Sequence, residues 1–140
     1  MAAFNKFNIF VADVANKVHN LGADALKIAL TDVAPVAGNT VLANITQITA
    51  ANGYASGGAA VAITSSSQTS GTYKLLPTGN TVFTASGGAI AQFRYAVIYN
   101  STPVNGNLIG WWDYGAEVNV TNGNTFTVGL DTTNGILQLA

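Results

Sequence analysis

Apolar side chains at the start of the chain recur at helical spacing: Phe7, Phe10, Val11, Val14, Val18 and Leu21 share one face. Asp13, Asn16, Lys17 and Asn20 fall elsewhere, and Gly22 stands where a left-handed stop closes a helix. The spacing predicts a helical segment over residues 1–22, of about three or four turns. Such a helix is marginal alone in water, so its stripe needs a surface, in its own domain or on a neighbouring subunit.

Beyond Gly22 the period shortens to two. Ala25–Thr31 alternates Leu26, Ile28 and Leu30 with smaller or polar residues, and Phe93–Tyr99 is the richest run in aromatic and branched side chains. Val61–Thr64, Thr72–Leu76, Thr81–Thr84, Leu108–Tyr114, Glu117–Thr121, Thr125–Leu130 and Ile136–Leu139 complete a set of about nine short strands. Asn-Gly pairs at 52–53, 105–106, 122–123 and 134–135 supply the positive φ that tight hairpin turns demand. The pair at 122–123 lies between two alternating runs and predicts a hairpin there. No helical pattern separates the strands, which argues against a parallel sheet. The expected architecture is all-β: an antiparallel β-sandwich or jelly-roll-like domain over residues 23–140, preceded by one N-terminal α-helix. Residues 47–71 are small, polar and glycine-rich, and read as a surface loop or as an arm ordered by a neighbour.

Composition changes this picture in one respect. A chain of 140 residues makes one domain, large enough to fold without a metal or disulfide, and it has no cysteine. Charged residues are only 8% of it, against about 25% in ordinary soluble domains. Net charge is −1 and mean hydropathy +0.32. So weakly charged a surface is either kept wet by Asn, Thr, Ser and Gln or covered by other subunits; the positive hydropathy favours covering. No stretch resembles an export signal or reaches the length that spans a bilayer, so no membrane role is expected and the site of synthesis is a cytoplasm. Three glycosylation-type tripeptides, beginning at Asn44, Asn100 and Asn119, fit chance in an Asn- and Thr-rich chain.

Candidate chemistry is sparse. His19 is the only histidine, and reads as a partly exposed residue at the helix end. Asp113 and Glu117 are the one close acidic pair, bracketing Tyr114-Gly115-Ala116 at a strand end. Two carboxylates suffice for glycoside hydrolysis, but nothing else in the sequence builds a substrate cleft. The glycines at 57 and 58 lack the lysine of a phosphate loop, and five scattered Lys and Arg residues make no nucleic-acid patch. No catalytic residue, metal ligand or cofactor site is expected, and the chain reads as non-enzymatic.

The aromatic residues are the remaining constellation. Phe93, Tyr95 and Tyr99 share a strand face with Val97, and Trp111, Trp112 and Tyr114 follow. Adjacent residues of a strand point to opposite faces, so one tryptophan fills the core while the other lies on the outside or at an interface. Trp111, Trp112, Tyr114, Tyr95, Phe7 and Phe10 are the candidate interface residues, since Trp and Tyr are favoured at protein contacts. A sugar-stacking platform is the other use for such a surface. Arg94 is placed to pair with Asp113 or Glu117 across strands.

Nearly the whole chain, in the runs 26–54, 57–61, 93–100, 108–115 and 126–139, resembles a widespread family of tailed-bacteriophage virion structural proteins; FRYAVIYN followed by LIGWWDYG is the most distinctive part. The resemblance implies a structural component of the particle, partnered by the major capsid protein or other virion subunits. Within such particles, decoration (cement) proteins of this size sit on the capsid surface, commonly as homotrimers where capsomers meet. Tail-tube and tail-tip subunits are the alternative, and a carbohydrate-binding sandwich the one outside virions. The family supplies no catalytic or binding residues to carry over.

Overall fold

The structure is a computed structural model, and it describes residues 2–140. It is a sandwich-like, antiparallel all-β fold with one α-helix among the described residues. The large sheet takes β1 (Phe4–Lys6), β2 (Leu26–Thr31), β3 (Ala59–Val61), β7 (Ile90–Asn100) and β8 (Asn107–Val120), in spatial order β1-β8-β7-β2-β3. Its centre is the β7–β8 pair, built from the branched and aromatic runs that favour strands. Two smaller sheets form the opposing layer: β10-β5-β4, from β4 (Ile63–Thr69), β5 (Thr72–Pro77) and β10 (Leu137–Leu139), and the ribbon of β6 (Thr81–Thr84) with β9 (Thr125–Val128).

The main core lies between the layers. Leu26, Ile28 and Leu30 of β2, Phe93, Ala96 and Ile98 of β7, and Trp112 of β8 meet Leu75, Phe83, Val128 and Leu137 from the smaller sheets. The other face of the large sheet carries a second cluster, in which Ala29, Val97, Tyr99 and Leu108 lie under Phe7 and Ile45. Both faces of β2 and of the Ala96–Asn100 half of β7 are therefore covered, which is why these stretches read as nearly continuous apolar runs.

The long connection from β2 to β3 finishes the edge of β2 that the short β3 leaves open. Thr31 bridges to Gln47, Ile48 N–H donates to Leu30 O (3.1 Å), and Tyr54 Oη accepts Leu30 N–H (3.1 Å) while donating to Gln47 Oε1 (2.7 Å). Tyr99 Oη ties the end of the loop through Gly57 O (2.7 Å). Gly58, at φ +77°, runs so close to β2 that a Cβ would sit 1.7 Å from Ile28 O.

Several expectations need correction. The N-terminal helix is two turns, α1 (Ile9–Ala15), not three or four; it has no side-chain N-cap and ends where Lys17 turns to φ +62°. Residues 4–6 are instead a strand, pairing Phe4 with Trp112 and Lys6 with Gly110. Phe7 and Phe10 bury their side chains within this chain, but Val11, although inside α1, is 55% exposed and lies off the buried face. Gly22 is no helix stop; it lets the chain pass close to Ser66. Residues 47–71 are not one loop, since they contain β3 and β4, and β4–β5 is a tight hairpin through Ser70 (φ +51°) and Gly71 (φ +82°). Asn122-Gly123 does not close a hairpin: β8 pairs with β7 and β1, whereas β9 pairs with β6, so the chain changes layers there. The two strands expected around Gly115 are one strand, β8. Phe93 faces Val118 and Tyr95 faces Asp113, so two steps along β7 span five along β8, and Gly115 at φ +79° takes up the slack as a bulge.

Candidate functional site

Two places concentrate what little chemistry the chain has. The first is the part of the outer face of the large sheet, around Tyr95 and Trp111, that the second apolar cluster leaves only half covered. Trp111 and Trp112 point to opposite faces of β8. Trp112 is buried in the main core against Phe4 (ring centroids 5.2 Å), and Phe7 and Phe10 are buried too. These three of the six candidate interface residues are core, and cannot anchor a partner while the domain is folded. Trp111 is half-buried, with Phe7 on one side of its ring (4.5 Å). Tyr95 is half-buried on the same face, one diagonal step away, because Tyr95 faces Asp113 and Val97 faces Trp111. Tyr114 lies on the opposite face, edge-on to Phe126 (5.0 Å), and burial pushes its hydroxyl up to about 12.

The loop after β2 is tied at both ends to neighbours of this aromatic pair. It leaves Thr31, the cross-strand neighbour of Tyr95, and Val33 N–H donates to Thr31 Oγ1 (3.1 Å). It reaches α1 where Asn8 N–H donates to Ala37 O (2.9 Å), beside the Phe7 that covers Trp111. Between those ties Val33 and Val36 stand 57% and 60% exposed. Composition flagged an apolar surface, but these exposed valines were missed, because valine in a loop carries no periodic signal.

The charges nearest Tyr95 neutralise each other. Arg94 donates from Nε to Asp113 Oδ1 (2.8 Å) and from Nη2 to Oδ2 (3.0 Å), and its guanidinium lies 5.3 Å from the Tyr95 ring. Gly115 N–H also reaches Asp113 Oδ1 (2.7 Å), which staples the bulge. Arg94 and this amide hold the Asp113 carboxyl below its usual range. Asp113 is thus a paired acceptor, and Glu117 is exposed beyond the bulge.

The second place is a buried polar cluster that the sequence reading missed. His19 was expected to be partly exposed; it is buried, with its side chain wholly out of solvent. Asn100 Nδ2 lies 3.2 Å from His19 Nδ1 and also donates to Asp24. Asn107, the ladder partner of Asn100, donates to Asp13 Oδ2 (2.9 Å), and that carboxylate lies 3.8 Å from His19 Nε2. Burial holds the imidazole below its ordinary range against the opposing pull of Asp13 and Asp24. The contacts join residues up to 94 positions apart, so no local motif marks them. No group of His, Cys, Asp or Glu among the described residues is arranged to hold a metal ion.

Comparison with known proteins finds no match. No family model, curated protein or solved structure is similar to the chain.

Proposed function

We propose that this chain is a structural subunit of a tailed-bacteriophage particle, a decoration protein that clamps neighbouring subunits of the head shell. The observation that carries the reading is the half-covered part of the outer face of the large sheet. There Trp111 and Tyr95 share one face of β7 and β8, and Val33 and Val36 stand exposed on the loop that leaves neighbouring β2. The chain has only 8% charged residues, with Arg94 and Asp113 neutralising each other beside Tyr95. Partly exposed aromatic and apolar side chains favour a protein partner. The likeness of residues 26–54, 57–61, 93–100, 108–115 and 126–139 to virion structural proteins supports the same class of assembly.

The mechanism is additive. Each copy lays this face on the shell and removes apolar area from water, at roughly 25 cal/mol per Å². Copies joined as a trimer bind by avidity, so rupture of the shell requires several contacts to fail together.

The test is to label the protein on purified particles for electron microscopy, and to measure binding of the isolated protein to undecorated and decorated heads. Binding to undecorated heads is expected, with Val36→Asp abolishing attachment while the melting temperature stays unchanged. Label on tails would replace the decoration role with a tail role. A monodisperse monomer that ignores both and binds a glycan would overturn the assembly reading.

A further inference from the structure

The assembly reading leaves the buried histidine without a task, and its surroundings say what a proton would do there. The Asn100 amide is fixed by its partners: its Oδ1 accepts Thr102 N–H (3.0 Å), and its Nδ2 faces both Asp24 and His19 Nδ1. His19 Nδ1 is therefore a hydrogen-bond acceptor, and Nε2 carries the hydrogen of the neutral ring. Nε2 has no hydrogen-bond partner among the described residues. A proton bound at Nδ1 would aim an N–H at the amide's own N–H. The amide cannot turn over to receive it without setting its NH2 against Thr102 N–H and abandoning Asp24.

The groups facing the ring come from every element around it. Asp13 lies on α1, Asp24 follows the turn, Asn100 and Asn107 stand on β7 and β8, and the Phe10 ring is 5.4 Å away. Lys17, on the same turn, is exposed. The side toward the small sheet is a groove of about 390 Å³, lined by Val14, Leu21, Ser66, Tyr73 and Leu139 as well as the turn itself. Tyr73 and Ser66 hydrogen-bond each other there (2.8 Å). The turn is also strained, with Lys17 in the left-handed region that lysine rarely adopts.

We propose that residues 16–24 are a proton-operated latch: a solvent proton binding His19 Nδ1 breaks its contact with the Asn100 amide, and the turn swings into the groove and frees α1. The step forms one N–H bond and converts imidazole to imidazolium, with no other covalent change. The released turn takes up its proton at the ordinary imidazole pKa of about 6.5, and the closed turn only below it. Opening is thus favoured as pH falls through that value, up to tenfold per pH unit until the closed form titrates as well.

Because the chain has one histidine, NMR titration reads it without ambiguity. Hydrogen exchange of the full chain between pH 7.5 and 5, corrected for intrinsic rates, reads the latch through Val18, Ala23 and Asp24, whose amides bond to Asp13 O and Asn20 O. Expected is a ring that titrates below the ordinary range, with protection at those amides falling up to tenfold per pH unit below about 6.5, while Val97 in the centre of β7 keeps its protection. In His19→Gln the protection should not depend on pH in this range. The proposal fails if the ring titrates at or above the ordinary range. It fails equally if the latch amides stay protected as the ring titrates, if protection is lost across the whole chain together, or if His19→Gln shows the same loss. Should that variant not fold, the wild-type titration and exchange profiles decide between these outcomes alone.

Discussion

Replacing each tryptophan in turn tests both the packing and the assignment of faces. Trp112 is 4% exposed, stacked near Phe4, and sits among the strands of both layers. Truncation of such a residue to alanine removes its transfer energy and leaves a cavity, about 3–5 kcal/mol in comparable cores. A domain of this size has a total stability of about 5–15 kcal/mol. With a urea slope near 2 kcal/mol per M, Trp112→Ala should lower the unfolding midpoint by roughly 2 M. Trp111 is half-buried and loses mainly its contact with Phe7, so Trp111→Ala should cost about 1–2 kcal/mol and shift the midpoint by less than 1 M. Equilibrium urea unfolding followed by circular dichroism measures both, and head binding measured on the still-folded Trp111→Ala protein should be weakened. A Trp111→Ala variant less stable than Trp112→Ala would refute the assignment of inner and outer faces.

Gly58→Ala should prevent cooperative folding, because Ile28 O occupies the place of the new Cβ. Gly71→Ala, at a similar φ but with open space around it, should cost only about 1 kcal/mol; thermal melts of the two variants separate steric from conformational effects. Tyr54→Phe strands the Leu30 amide and should destabilise the fold by about 1–3 kcal/mol in urea titration. Burial pushes the Tyr54 hydroxyl up to about 12, whereas the unfolded chain loses that proton near 10. Between those values the unfolded state binds fewer protons, so stability should be complete below pH 10 and fall as pH rises toward 12, less steeply in the Phe variant.

The sequence pattern was most legible where packing is two-sided and continuous. Thr81–Thr84 was placed to the residue, and Leu26–Thr31 and the core of β7 stood out because branched and aromatic side chains crowd there. The Arg94–Asp113 pair was within reach as well, since both residues lie on neighbouring strands. β4 was hidden because Ser65–Thr69 has no apolar face to alternate; pairing with β5 and the Ser70-Gly71 turn hold it instead. The N-terminus misled because Phe7, Phe10 and Val14 fit a helix equally well whether or not it continues, and only the place beside β8 makes Phe4–Lys6 a strand. Of the candidate contact residues, Trp111 and Tyr95 fell together on a half-covered face, whereas Phe7, Phe10 and Trp112 went to the interior. Aromatic identity alone does not distinguish these fates. The His19 cluster depends on side chains from α1, the following turn and two strands, a coincidence that exists only after folding.

The position of β1 also sets an order of events during synthesis. Its only ladder is with β8, Phe4 opposite Trp112, and β8 itself must first find β7. As the chain emerges from the ribosome, Phe4, Phe7 and Phe10 therefore have no partner strand to cover them until residues 107–120 have been made. Pairing of strands so far apart in sequence is slow compared with local hairpin formation, so the β4–β5 hairpin can form early while the large sheet completes late. The interval leaves three phenylalanines open to capture by a chaperone or by another nascent chain, and the sparse charges offer little repulsion to keep such chains apart.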